Sequence, residues 1–392
     1  MLFEFNSPTR IVFGPGVLAT LPDQVGPLGR RALLVVGSRT LARAGAVARL
    51  GDALASKGVD PLVFEVSGEP DVPTVERGAR LARDERCDAV VGLGGGSALD
   101  AAKAVAALAT NPEGALAYME VVGRGAPLAN PPLPVVAVPT TAGTGAEVTR
   151  NAVVLDRTHS YKASIRSAHL YPRVAVVDPE LARSLPPHLT ASTGLDALTQ
   201  LLEAFVSVRA TPLSDALARE GLRRAGRSLH RAWEVPDDLE ARSDMAVASL
   251  LSGMALANAG LGAVHGLASP LGGRYPIPHG VACAALLPHV STANVRALCA
   301  RDPNGPGLRR YREAATILVG EGALFEELLV WLDEQVRVLG IPPLRRHGVL
   351  PEHVPEVVDA ALEASSTRGN PIALTREEMS EALTAAIGAT SG

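Results

Sequence analysis

The spacing of apolar positions changes character near residue 185. Before it, short apolar runs at Arg31–Val36, Leu62–Val66, Asp88–Leu93, Pro134–Val138 and Val174–Val177 predict buried strands. Between them, residues 41–56, 72–86 and 97–108 carry helical spacing, the second opened by Asp71-Val72-Pro73 with proline suited to a first turn. Residues 1–13 predict two short strands around Ser7-Pro8, forming a hairpin at a sheet edge. Ala152–Asp156 and Tyr161–Ile165 predict a hairpin across Arg157-Thr158-His159. Strands alternating with helices imply a parallel sheet covered on both faces. From His188 onward the pattern is helical throughout: 188–207, 212–231, 236–258, 280–298, 308–318, 322–339, 351–363 and 375–388, with no strand. The reading is an α/β N-terminal domain over 1–185 and an all-α C-terminal domain over 186–392.

Composition narrows the function classes. A hydrophobic content of 47% argues against disorder, and a net charge of −4 gives no electrostatic case for nucleic acid or an anionic membrane. The start, Met1-Leu2-Phe3-Glu4-Phe5-Asn6, lacks the basic and apolar regions of a signal peptide. Three scattered cysteines, Cys87, Cys283 and Cys299, point to a reducing compartment. A cytoplasmic protein is expected. Lysine is scarce, with only Lys57, Lys103 and Lys162 present.

Two loops follow strand ends. Val90-Val91-Gly92-Leu93-Gly94-Gly95-Gly96-Ser97 leads from strand into helix, and the helix continues through Asp100 and Lys103. Glycines there admit close approach of backbone N–H groups to a diphosphate, Ser97 suits an N-cap, and the helix N-terminus favours an anion. The glycines are contiguous, unlike the GxGxxG fingerprint of a dinucleotide fold. The bland alternative is a tight glycine turn. Pro139-Thr140-Thr141-Ala142-Gly143-Thr144-Gly145-Ala146-Glu147 follows the next strand, where α/β sheets bind ligands.

Further on, Asp196 and Gln200 stand four apart on an apolar helix, so both project from one face. His265 and His279, each followed by glycine among apolar residues, are candidate partners. One carboxylate with imidazoles suits Fe(II) or Zn(II). The other histidines read as ordinary core or surface residues.

GGGSxxDxAK, a PTTxGTGxE loop, a TGxDAL helix start, VHG and PHG, in this order, resemble the iron-containing (group III) alcohol dehydrogenase family over nearly the whole chain. The resemblance implies a dehydroquinate synthase-like architecture, with cofactor and divalent metal in a cleft between the domains. It assigns Gly94, Gly95, Gly96, Ser97 and Asp100 to the pyrophosphate motif, Thr140, Thr141 and Thr144 to the nucleotide and nicotinamide, and Lys162 to the neighbourhood of the nicotinamide. Asp196, Gln200, His265 and His279 take the metal-ligand positions. Two departures stand out. Gln200 occupies a position where the family places histidine, and an amide oxygen is the weaker donor. Ser269 occupies one where many relatives carry another histidine. After the first strand, Gly37-Ser38-Arg39 offers no carboxylate against a 2′-phosphate, which favours NADP over NAD.

The expected reaction is hydride transfer between NAD(P)H and a small aldehyde or ketone, with a metal polarising the oxygen, or with His265 and His279 donating to it when metal is absent. Two alternatives stand beside it. One is a metal-independent enzyme resembling maleylacetate reductases, for which Arg150, Arg166 and Arg274 are available cations. The other is a non-catalytic nucleotide-binding module. At least a dimer is expected.

Overall fold

A computed structural model describes residues 2–37 and 45–388 of the chain. Two compact units divide it. One comprises Ser7–Thr141 and Gly145–Ala182, the other Met1–Asn6, Ala142–Thr144 and Arg183–Gly392.

In the first unit the apolar runs form strands β1 (Arg10–Phe13), β2 (Arg31–Val36), β3 (Asp60–Glu65), β4 (Ala89–Gly94) and β5 (Val135–Pro139). A separate antiparallel hairpin, β6 (Asn151–Asp156) and β7 (Tyr161–Arg166), precedes β8 (Val174–Val177). The six-stranded sheet runs β1-β8-β5-β4-β2-β3, and every pairing in it is parallel. Helices α1 (Leu21–Val25), α2 (Ala46–Ser56), α3 (Val72–Asp84), α4 (Gly96–Thr110) and the short α5 (Ala115–Tyr118) accompany it. Strand β2 shows why its run is apolar without alternation. Leu33 and Val35 join the core containing Val75 and Ala79 of α3 and Val105 of α4, whereas Ala32, Leu34 and Val36 join Leu21 of α1 and Leu50 and Leu54 of α2. Successive side chains face opposite sides, and both sides are covered.

The N-terminal hairpin expected over residues 1–13 does not form. Among the described residues of that stretch only Arg10–Phe13 is a strand, paired parallel to β8. Pro8 has no N–H for a ladder, and Asn6 bonds instead to Asn258, its N–H donating to Oδ1 at 2.6 Å.

The second unit contains α6 (Pro187–Val206), α7 (Pro212–Glu234), α8 (Leu239–Ala259), α9 (Ala263–Arg274), α10 (His279–Arg301), α11 (Pro306–Leu318), α12 (Phe325–Val338), α13 (Val354–Glu363) and α14 (Arg376–Ile387). Helix α7 starts with a capping box between Thr211 and Ser214 and a proline in its first turn. Helix α9 is absent from the sequence expectation and carries Gly266, Pro270, Gly272 and Gly273, all poor helix formers. Helix α6 is the centre of this unit. Leu195, Leu198, Leu201, Leu202 and Phe205 are all within 1% of full burial, each contributing about 1.5–3 kcal/mol. Polar groups on so enclosed a helix cost free energy unless they find partners. Among the described residues, no single helix is long and apolar enough to cross a membrane.

Candidate active site

The strand order locates the first site. The chain passes from β2 to β3 on one side, then places β4 on the other side of β2. The carboxyl ends of β2 and β4 therefore flank the topological switch point, where open α/β sheets bind ligands. Gly37 follows β2 and Gly94 ends β4 there. The Gly37 N–H donates to the Leu93 carbonyl at 3.0 Å. Gly94 has φ +153°, and a Cβ on it would lie 2.7 Å from the Ala98 Cβ; one on Gly37 would lie 2.5 Å from the same atom. Only hydrogen at both positions lets the first turn of α4 come this close to the strand ends. Gly95 is the N-cap, with extended backbone, and the helix begins at Gly96. This corrects the expectation that Ser97 caps the helix: Ser97 lies inside the first turn. Thr140 donates its N–H to the Gly94 carbonyl at 2.9 Å, and the Thr141 side chain lies against Gly95. The glycine loop and the first threonines thus share one end of the sheet.

Lys103 explains one retained lysine. Fully buried, it pairs with Asp100 at 2.9 Å and donates to the Ala146 carbonyl at 3.0 Å and Thr149 Oγ1 at 3.1 Å. It fastens α4 to the end of the threonine loop, and Asp100 is its counter-ion. Lys162 is also buried, on β7, and pairs with Glu69 at 3.1 Å. Thr144 is half-buried and belongs with the helical unit. Ser38 and Arg39 lie outside the described residues. Of the arginines considered for a dicarboxylate, Arg166 pairs with Glu120 and Arg274 with Glu356.

The second site gathers on α6, α9 and α10. His265 sits in the first turn of α9, whose N-cap, Gly262, has no side chain. Two distant residues cap the helix instead: Asn370 Oδ1 accepts from the Ala263 N–H at 3.1 Å and Glu203 Oε1 from the Val264 N–H at 2.7 Å. A Cβ on Gly262 would lie 2.7 Å from Glu203 Oε1, so glycine makes room for the cap. The other oxygen of Glu203 lies 2.6 Å from His265 Nδ1. That bond places the proton on Nδ1 and leaves Nε2 a free donor atom.

His265 Nε2 lies 3.5 Å from Asp196 Oδ1, and His279 Nε2, from the first residue of α10, lies 3.8 Å from the same oxygen. The two imidazole centroids are 5.4 Å apart. Cys283, one turn further along α10, puts Sγ 3.6 Å from both Nε2 atoms. One donor atom from each of these four residues lies within 4.8 Å of all the others. Asp196 Oδ1 is buried without a hydrogen-bond partner. A buried carboxylate oxygen with no partner, facing two imidazole nitrogens, is what a cation-binding site requires, so these residues fit a divalent metal. The side chain of His265 is 6% exposed and that of His279 is 33% exposed, so access is from the His279 side.

The electrostatics agree with the geometry. Burial acts to raise the Asp196 pKa, yet His279 and His265 hold it below its ordinary value. Burial acts to lower both histidines. Against it, Cys283, Glu203 and Asp196 lift His265 well above its ordinary value, and Cys283 and Asp196 raise His279 to about 9. The cluster therefore holds protons on its imidazoles beside an ionised Asp196, and a metal binding there displaces the proton from each Nε2.

Gln200 lies beside the cluster. Its Nε2 faces Asp196 Oδ2 at 3.4 Å, and its Oε1 accepts from Ser252 Oγ at 2.8 Å. Sequence reasoning overlooked Glu203 and Cys283. Glu203 stands three residues after Gln200 and Cys283 four after His279, a spacing that puts each on the right side of its helix without singling it out as a site residue.

Family models describe the same chain in two parts. Residues 8–179 match iron-containing alcohol dehydrogenase, and residues 190–387 match the C-terminal part of the Fe-containing alcohol dehydrogenase family. The chain is 37% identical over 377 residues to alcohol dehydrogenase 4 of Schizosaccharomyces pombe, covering 96% of this chain and 87% of that protein. It is 36% identical to lactaldehyde reductase of Escherichia coli K12, covering 94% and 95% of the two. The crystal structure of sulfoacetaldehyde reductase from Bifidobacterium kashiwanohense, in complex with NAD+, superposes with a TM-score of 0.87 at 30% identity, covering 99% of each chain. With matching models over both parts and relatives at this identity along almost its full length, the chain belongs to the iron-containing alcohol dehydrogenase family.

Proposed function

We propose that this chain is a nicotinamide-dependent oxidoreductase that interconverts small alcohols with their aldehydes or ketones, using a divalent metal. Its family members include alcohol dehydrogenases and a lactaldehyde reductase, which act on CH–OH groups. The observation that carries the metal reading is the unpartnered Asp196 Oδ1 facing the Nε2 atoms of His265 and His279. When bound, the dinucleotide supplies or accepts the hydride, and the metal, Fe(II) or Zn(II), draws charge onto the reacting oxygen.

The chain's residues have these roles. Residues 1–185 bind the dinucleotide and 186–392 the metal and substrate. Backbone N–H groups at Gly95, Gly96 and Ser97 receive the pyrophosphate at the start of α4, with Gly37 and Gly94 giving it room. Thr140, Thr141 and Thr144 contact the nucleotide and the nicotinamide, and Lys162 supplies a cation near the nicotinamide. Glu203 holds the proton on His265 Nδ1, so that Nε2 remains a ligand. Asp196, His265 and His279 bind the metal, with Gln200 beside them. Ser269, one turn after His265, is no general acid near neutral pH unless relayed by water or a ribose hydroxyl. The reading includes NADP as the preferred cofactor, through Ser38 and Arg39. It also includes a cytoplasmic location, with which the free cysteines agree, and at least a dimer, which light scattering checks.

Steady-state reduction of a short-chain aldehyde panel, lactaldehyde included, tests the reading. The expected kcat/KM is about ten-fold higher with NADPH than with NADH, equivalent to about 1.4 kcal/mol, and Arg39→Ala removes the difference. A clear NADH preference refutes the NADP assignment. Failure to bind either nucleotide or turn over any carbonyl refutes the enzyme reading.

A further inference from the structure

We propose that Cys283, rather than Gln200, supplies the fourth protein ligand of the metal site, giving an Asp196, His265, His279 and Cys283 set of mixed oxygen, nitrogen and sulfur donors. The inference rests on the metal reading above and specifies its chemistry.

Donor spacing is the first argument. An ion held by these four donors near tetrahedral angles, at roughly 2.0–2.1 Å from nitrogen and oxygen and roughly 2.3 Å from sulfur, would have donor–donor edges of about 3.3–3.6 Å, and would admit the reacting oxygen by expanding to five-coordinate. Cys283 Sγ lies 3.6 Å from each imidazole Nε2. The Asp196 Oδ1 edges are 3.5 and 3.8 Å. The sulfur therefore stands at the distance expected for a vertex of the same polyhedron.

The commitments of Gln200 are the second argument. Only its Oε1 could ligate a cation, and that atom accepts from Ser252 Oγ at 2.8 Å. Its Nε2 faces Asp196 Oδ2 at 3.4 Å. Turning the amide over would set its oxygen against a carboxylate oxygen with no proton between them, so the bond to Asp196 fixes the orientation. In this arrangement Gln200 steadies Oδ2 and leaves Oδ1 to the metal. It acts as an outer partner of the ligand Asp196.

The third argument is the placement of the thiol. Cys283 is fully buried, on the same face of α10 as His279 and one turn away. Neither Cys87 nor Cys299 belongs to the cluster. A sulfur donor shifts preference from Fe(II) toward softer ions such as Zn(II).

The test is a titration of the metal-free full-length protein with Co(II), followed by absorption spectroscopy, and with Zn(II) against a competing chelator. Wild type is expected to bind one ion and to show a near-ultraviolet sulfur-to-cobalt charge-transfer band. Cys283→Ser should abolish the band and weaken Zn(II) binding by more than the roughly 10–100-fold typical of losing an outer partner. Gln200→Ala should keep the band and weaken Zn(II) within that range. Cobalt bound by wild type without the band would overturn the role of Cys283 while leaving the metal reading standing. Loss of the band in Gln200→Ala with Cys283 intact would also overturn the assignment. No stoichiometric ion in wild type would overturn both. The wild-type spectrum decides the matter even if Cys283→Ser does not fold.

Discussion

The carboxylate of Glu203 has two tasks: Oε1 caps α9 and Oε2 orients the imidazole of His265. It is a positioning residue, acting through histidine. Glu203→Ala should weaken Zn(II) binding by about 10–100-fold, as loss of a metal ligand's outer partner does, and Glu203→Gln should recover part of this because its amide oxygen still accepts from Nδ1–H. Competition titration with a chromophoric chelator reads both. A purely structural role would lower thermal stability in both variants without separating their affinities. Asp196, His265 and His279 were legible in the sequence because carboxylate and imidazole are conspicuous in apolar surroundings. Glu203 and Cys283 were harder to see. A glutamate ends many helices in water, and a buried cysteine is usually a small apolar residue. What distinguishes them is which turn of a distant helix they face, and one chain's periodicity does not encode that.

At the scale of elements, α4 and the loop following β5 behave as one part because Lys103 joins them. Lys103→Met should remove the bonds to Ala146 and Thr149 and leave Asp100 without its counter-ion, lowering stability by about 3 kcal/mol. Urea unfolding followed by circular dichroism measures this, and a midpoint unchanged from wild type would refute it. Five of the six parallel strands were readable from sequence to within two residues at either end, since strands buried on both faces leave unbroken apolar runs. Helix α9 was not. Its two adjacent glycines and Pro270 lower its intrinsic propensity, and packing compensates: Val264, Leu267, Ala268 and Leu271 all join the main helical core. The N-terminal hairpin was misread for a related reason. A short run around Ser7-Pro8 has the composition of a strand pair, but the other five parallel strands leave an edge beside β8 that Arg10–Phe13 takes.

For the whole molecule, the buried Glu147 couples stability to pH. Burial raises its pKa from 4.5 to about 7, against the opposing influence of its own backbone N–H and of Lys103. A carboxyl whose folded value is raised contributes stability that is complete below the unfolded value and is lost as pH rises through the folded one. Wild type should therefore lose up to about 3 kcal/mol from this group between its unfolded and folded pKa values, and Glu147→Gln should lack that slope. Chemical denaturation at a series of pH values compares the two, and parallel profiles would count against the assignment. Another property of the whole concerns Ala142–Thr144, three residues from the middle of the α/β sequence that pack as part of the helical unit. Gly143 sits against Thr193, and its carbonyl lies 3.5 Å from the hydroxyl of Ser252, the residue bonded to Gln200. A ribosome finishes these three residues before any of the helices they join has been made. They must wait, exposed, for about a hundred further residues before Ser252 exists to receive them. The two halves are therefore not independent modules. A gene cut at the apparent boundary would deprive the helical half of a piece of its own interior, and shuffling that half onto another nucleotide-binding domain would require the donor's threonine loop to travel with it.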